Sequence, residues 1–234
     1  MSGSEVQITA KDGGTFMGYL ASPAGGSGPG IIAIQEIFGV NQGMRQICDQ
    51  LASLGYFALS PDLFWRQEPG IQLTDQSDEE WQKAFALYNG FDVDKGIDDI
   101  AASIDWLRGH EGGNGKVGAV GYCLGGLLAY LTACRTDVNA AVGFYGVGIQ
   151  DRLDEATGLT TPLMLHIAEE DGFVDKEAQA AVHGALDGKP NIVLHDYPGV
   201  DHAFARPDGV NWDRDAADQA NLRTAHFFGD HLKG

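Results

Sequence analysis

In the stretch VGAVGYCLGG, Val117–Gly126, an apolar run stops at Gly121, a single cysteine stands between glycines, and a second apolar run follows. A strand that turns sharply into a helix has this pattern. Such a turn strains and crowds the backbone, so small residues are needed two positions either side of the reactive one. Gly121 and Gly125 hold those positions around Cys123. The turn would expose the thiol and aim the next backbone N–H, that of Leu124, at a developing oxyanion. The helix that starts there would add its positive end, which favours a thiolate. A phosphate-binding loop fits less well, because no Lys-Ser/Thr follows and the glycines do not spell G-x-G-x-x-G. Cys48 and Cys134 lie on helical stripes and are expected in the core, as unreactive cysteines usually are.

A cysteine nucleophile needs a base, and the base needs an acid to orient it. Of the seven histidines, His110, His183, His226 and His231 fall on helical segments or near the C-terminus, and His166 and His195 fall inside strand runs. His202 differs: it lies in PGVDHAF, Pro198–Phe204, a turn between the last strand and the C-terminal helix. Asp171 occupies the loop after the preceding strand, followed by Gly172 and a helix, with Glu169, Glu170 and Asp175 as rivals. The chain order Cys123, Asp171, His202 is nucleophile, acid, base, as in hydrolases built on a strand-to-helix nucleophile turn.

Positioning these three requires strands that end on one edge. Strand-like runs occur at 6–10, 15–21, 30–35, 56–60, 116–121, 140–144, 163–168 and 192–197, several of them continuously apolar, as expected for strands buried on both faces. Helical stripes lie between them: Met44, Ile47, Leu51 and Leu54, with Gly55 placed to end the helix, then Ile97, Ile100, Ile104 and Leu107. Residues 124–133, 174–186 and 212–228 are further helices. The first two strands have only a turn between them and form an antiparallel hairpin. The expected architecture is therefore α/β: a three-layer sandwich, mostly parallel with an antiparallel N-terminal edge, forming one domain over residues 1–234. Residues 64–91 break the rhythm as an acidic, aromatic, irregular insertion near the carboxyl edge, where open α/β sheets carry their chemistry.

The net charge of −18, from 33 acidic against 15 basic residues, repels nucleic acid and anionic lipid, so neither is an expected partner. Three irregularly spaced cysteines describe no disulfide framework and suit a reducing cytoplasm. There is no signal-peptide pattern and no apolar run long enough to cross a bilayer.

The segments QEIFG (Gln35–Gly39), LGYFALSPDL (Leu54–Leu63), GYCLGG (Gly121–Gly126), the Asp171 loop and His202–Phe204 together resemble the dienelactone hydrolase family, whose members have the α/β-hydrolase fold. The resemblance spans nearly the whole chain. It implies Cys123 as nucleophile, His202 as base, Asp171 as its orienter and Glu36 as a fourth participant. Glu36 would hold the resting thiol neutral and accept its proton when substrate arrives, which protects the thiol from oxidation. The oxyanion hole would be the backbone N–H groups of Ile37 and Leu124. The thiolate would attack a lactone or ester carbonyl, form a thioester, and be released by water activated at His202, with no metal or cofactor.

The family holds its substrate carboxylate with two arginines. Arg206 corresponds to one of them. The stretch DEEWQKAFALY, Asp78–Tyr88, where the second is expected, contains Trp81 and Lys83 but no arginine; Arg66 is a nearby candidate. Trp81, Phe85 and Tyr88 recur at helical spacing and, with Phe38 and Arg206, are the candidate substrate-binding residues. The expected substrate is a dienelactone-like small-molecule lactone or ester, and the missing second arginine points toward one bulkier, more aromatic or less anionic than a dienelactone itself. Two other readings suit the same residues: a thioesterase or general carboxylesterase of this fold, and a non-hydrolytic binding or redox protein using Cys123.

Overall fold

The computed structural model describes residues 3–233. It contains an eight-stranded mixed sheet with strand order β1-β2-β4-β3-β5-β6-β7-β8 and helices on both faces, the expected α/β architecture. The chain divides into two compact units, one ending at Gly118 and one beginning at Ala119.

In the first unit, β1 (Ser4–Thr9) and β2 (Thr15–Ala21) form the expected antiparallel hairpin, and β2 also runs antiparallel to β4 (Phe57–Pro61). β3 (Gly28–Ile34) pairs parallel to β4. Residues 30–34 and 57–61 are buried without interruption, which explains why their sequences show no polar alternation. Helix α1 (Gln42–Ser53) starts at Asn41, whose side chain accepts from Met44 N–H. It buries Met44, Ile47, Cys48 and Leu51, and Gly55 follows with a φ of +93°. Helix α3 (Val93–Arg108) buries the expected isoleucine and leucine stripe.

The supposedly irregular insertion contains helix α2 (Asp78–Asn89). Its acidic start is a capping signal: Ser77 Oγ accepts from Glu80 N–H, while the Glu80 carboxylate returns to Ser77 Oγ, and Asp78, Glu79 and Glu80 face the positive helix end.

Strand β5 (Gly113–Tyr122) crosses the unit boundary. The second unit continues with α4 (Leu124–Arg135), β6 (Ala140–Phe144), a 3-10 helix (Ile149–Ala156) that has no strong signal in the sequence, β7 (Leu163–Ala168), α5 (Lys176–Leu186), β8 (Ile192–Tyr197) and α6 (Arg214–Leu232). β6, β7 and β8 pair parallel in sequence order. Residues Leu124–Ala133 of α4 are buried on every side, so this helix carries no polar stripe. α5 and α6 each start two residues later than their apolar patterns suggest, because Asp175 and Asp213 cap them. Among the described residues, no helix is long and apolar enough to cross a membrane.

Candidate active site

The chain enters the turn after β5 with Cys123 at φ 57° and ψ −117°, a backbone conformation that L-residues rarely adopt. The surroundings hold it there. Cys123 N–H donates to Phe144 O at 3.1 Å, and its carbonyl accepts from Gly126 N–H at 2.9 Å and Leu127 N–H at 3.3 Å. A Cβ on Gly121 would lie 1.8 Å from Gly125 O, and one on Gly126 would lie 2.4 Å from Phe144 O. Glycine is therefore required for close backbone packing at both places, on the near and far side of the cysteine. The thiol sulfur makes no capping bond to α4. Leu124 is the first residue of that helix, so no carbonyl within the helix can take its N–H.

The candidate acid and base, Asp171 and His202, come from the loops after β7 and β8. Asp171 Oδ1 accepts from Phe173 N–H at 2.8 Å and Val174 N–H at 3.2 Å, which fixes the carboxylate in its own turn. His202 Nδ1 meets that carboxylate at 3.1 Å from Oδ1 and 2.9 Å from Oδ2, with both side chains nearly inaccessible to solvent. His202 Nε2 is buried and makes no hydrogen bond of ordinary geometry, although the Cys123 sulfur is close enough to couple to the ring's charge. The rivals have other tasks. Asp175 caps α5, Glu170 pairs with Lys176, and Glu169 N–H donates to Tyr197 O. His166 is buried between Tyr197 OH at 2.8 Å and Thr224 Oγ1 at 3.0 Å, and burial, with the nearby charges of His195 and Arg223, keeps it neutral.

Burial alone would make His202 harder to protonate. The Cys123 sulfur and the Asp171 carboxylate outweigh it and push the imidazole pKa up to about 10. Since the folded value lies above the ordinary 6.5, the stability this group contributes is complete below about pH 6.5 and is lost as the pH rises through about 10. Removing the sulfur removes the strongest of the influences that hold the proton. The His202 pKa in Cys123→Ala is therefore expected to move down toward 6.5, as read from imidazole 15N shifts across a pH series. An unchanged titration would mean that the thiol and the ring are not coupled.

Several features of this site have no local signal in the sequence. Tyr145, after β6, is held at φ 38°, and its ring stands edge-on to His202 with centroids 5.0 Å apart. The half-exposed Phe173 ring meets the same imidazole at 4.8 Å. Ala203 has φ 64°, so the loops after β5, β6 and β8 each contain a non-glycine residue in the left-handed region.

In the first unit, Glu36, Ile37 and Phe38 are buried just beyond β3. Gln35, also buried, donates from Nε2 to Glu36 O and accepts from Leu63 N–H. Phe38 meets Trp81 edge-on at 5.0 Å, and Trp81 stacks on Phe85 at 5.4 Å, so three of the aromatic candidates form one cluster, with the half-buried Tyr88 one turn further along α2. Lys83 is paired with Glu68 at 2.8 Å. Arg66 is committed elsewhere. It grips the buried Asp99 through Nε at 3.2 Å and Nη2 at 2.8 Å, lies over the Trp65 ring, and reaches Asp12. Withdrawing it would leave the buried carboxylate without its counter-charge, held among the described residues only by Trp65 Nε1–H at 2.8 Å, and breaking a buried ion pair this way typically costs about 3–5 kcal/mol. Arg206 is buried in the second unit, with Gly209 close against its aliphatic stem. Cys48 is fully buried and burial pushes its thiol pKa up. Cys134 is only partly buried, contrary to expectation, because it lies at the end of α4. All three cysteines are free. Cys134 is eleven residues along α4 from Cys123, about 16 Å of helix, beyond the reach of a disulfide.

Comparison with known proteins bears out the family resemblance. The model of the dienelactone hydrolase family matches residues 16–232. A relative from Azospirillum brasilense is 47% identical over 98% of this chain and 99% of its own. Carboxymethylenebutenolidase 1 of Cupriavidus pinatubonensis is 37% identical over 94% and 93%. A crystal structure from Klebsiella pneumoniae superposes with a TM-score of 0.84 at 26% identity, covering 97% of both chains. The chain belongs to the dienelactone hydrolase family.

Proposed function

We propose that this protein hydrolyses a dienelactone-like lactone or ester through Cys123, His202 and Asp171, and that residues 1–234 work as one catalytic domain in the cytoplasm. The observation that carries the reading is the buried His202–Asp171 pair standing beside a cysteine held in a strained strand-to-helix turn. The family match over residues 16–232 supports the single domain, and the free cysteines suit a reducing compartment.

In the reaction, Glu36 takes the thiol proton as substrate arrives, and the thiolate attacks the carbonyl carbon. The oxyanion is stabilised by the N–H groups of Leu124 and Ile37. Collapse breaks the carbonyl carbon–oxygen bond, the enolate or alkoxide leaves with the proton that Glu36 took from the thiol, and a thioester remains on Cys123. With the sulfur acylated, the strongest influence holding a proton on His202 is gone, so Nε2 can take one from water, which adds to the thioester. The second collapse expels the thiolate, which regains a proton from His202, and releases the acid. Asp171 keeps the Nδ1 proton in place so that Nε2 can accept one.

Arg206 meets an anionic group of the substrate, and Phe38, Trp81, Phe85 and Tyr88 bind its apolar part. Arg66 and Lys83 are both engaged by carboxylates, so the reading favours a substrate whose anionic group is held by Arg206 alone and that offers more aromatic surface.

Steady-state hydrolysis of a dienelactone, p-nitrophenyl acetate and an acyl thioester, each with Cys123→Ala alongside, tests this. Dienelactone or ester turnover lost in the variant is the expected result. Turnover of the thioester alone would favour the thioesterase reading, and turnover surviving in the variant would remove the nucleophile assignment.

A further inference from the structure

The acid and base reach each other from two different loops, and a 2.9 Å contact tolerates little relative movement between them. Up to the residue before Asp171 the loops are joined by backbone alone: Glu169 N–H donates to Tyr197 O at 3.1 Å and Glu170 N–H to Val200 O at 3.0 Å. Beyond that point a side chain does the joining. One oxygen, Asp201 Oδ1, accepts from Gly172 N–H at 2.8 Å and from His202 N–H at 2.6 Å. The first donor is the residue after the acid, and the second belongs to the base itself. On the other side of the histidine, Asn211 Nδ2 donates to His202 O at 3.0 Å and lies 3.5 Å from Asp201 Oδ2. His202 is thus held at its N–H and its carbonyl while the chain immediately after it takes the left-handed φ of Ala203.

We infer that Asp201 is a positioning residue of the hydrolytic site, a clamp that fixes the acid loop to the base loop and so sets the Asp171–His202 geometry. The inference rests on the reading of His202 as the base oriented by Asp171. Its chemistry is that of a shared acceptor, not of a charge acting on the ring. Asp201 is exposed, so water can satisfy either N–H if the carboxylate is removed, and the fold should lose little. Separate waters cannot hold two loops at one distance, so the relative position of acid and base should loosen. A positioning role therefore predicts a loss in kcat without a matching loss in stability, and that split distinguishes it from an ordinary surface turn residue.

The experiment compares Asp201→Ala, Asp201→Glu and Asp201→Asn with the unmodified protein and Cys123→Ala, measuring kcat, KM and Tm on the ester or lactone that is turned over. Asp201→Ala is expected to lower kcat about 10- to 100-fold, with KM within about twofold and Tm within about 4 °C. Asp201→Glu keeps the charge but moves the oxygens one methylene outward, so it should lose kcat similarly. It also serves as the reporter if the alanine variant does not fold. Asp201→Asn keeps Oδ1 and should restore kcat to within about threefold of the unmodified protein. Unmodified kcat in the alanine and glutamate variants, with Cys123→Ala inactive, overturns the clamp and leaves the hydrolase reading intact. A loss in Asp201→Asn as deep as in Asp201→Ala also overturns it, since charge would then be what matters. Turnover that persists in Cys123→Ala removes Cys123 as the nucleophile, and with it the reading of the site on which the clamp rests.

Discussion

Gly121→Ala is expected to leave little folded protein. The added methyl group would be placed 1.8 Å from the carbonyl oxygen of Gly125 and 2.4 Å from its carbon. Both atoms are backbone, so no side chain can swing aside. Nor can the helix withdraw: the next residue, Gly126, is packed so closely that a Cβ there would lie 2.4 Å from Phe144 O and 2.8 Å from Gly146 Cα. Relief requires moving α4 off β6, and residues Leu124–Ala133 of that helix are buried throughout. Overpacking that displaces backbone belongs with the most damaging single substitutions, about 4–5 kcal/mol or more, against a total stability of about 5–15 kcal/mol for a domain. Soluble yield, circular dichroism and a urea melt check it. A variant that melts within a few degrees of the parent would show that the turn has slack which this packing denies.

Asp171→Asn is expected to keep the fold and lower kcat about 10³- to 10⁴-fold. Oδ1 accepts from the N–H groups of Phe173 and Val174, so an asparagine placed here directs its oxygen to the same two donors. Its NH2 then occupies the place of Oδ2, 2.9 Å from His202 Nδ1. A donor facing Nδ1 makes that nitrogen the acceptor and puts the imidazole proton on Nε2, the atom that must receive a proton from water. In the proposed mechanism His202 acts as base only in thioester hydrolysis, so thioester formation should suffer less. Rapid mixing with p-nitrophenyl acetate should therefore show a burst of p-nitrophenol of about one equivalent, followed by a slow steady state. Equal loss of burst and steady state would contradict this division, and near-normal turnover would show that Asp171 does not set the tautomer.

These two predictions concern residues whose importance local sequence signals already carried. A strand of uninterrupted apolar residues, glycines two positions either side of a cysteine, and an aspartate and a histidine on successive later loops are short-range patterns. Each follows from what one turn of backbone can accommodate, and the structure brings Cys123, Asp171 and His202 together as those patterns require. The isoleucine stripe of α3 and the leucine-rich α4 were equally plain, because burial sets the period of apolar residues along an element. Helix α2 was only half visible. Its acidic first turn looks like solvated loop until Ser77 and Glu80 are recognised as a reciprocal cap.

Contacts between residues far apart in the chain left no such trace. Arg66 is a free cation to any local reading, and only folding brings it to Asp99, 33 residues away, where a buried carboxylate claims it. Tyr145, Phe173 and Asp201 look like ordinary loop residues, yet the approach of the loops after β6, β7 and β8 places two rings on the His202 imidazole and one oxygen between two backbone donors. The chemistry proposed for the site is legible in residue types and short spacings, because Cys123, Asp171 and His202 are each set in a turn whose local backbone geometry leaves a short-range pattern. The precision of the site depends on which loops meet, and that is settled by sheet order and packing over distances that no local pattern records.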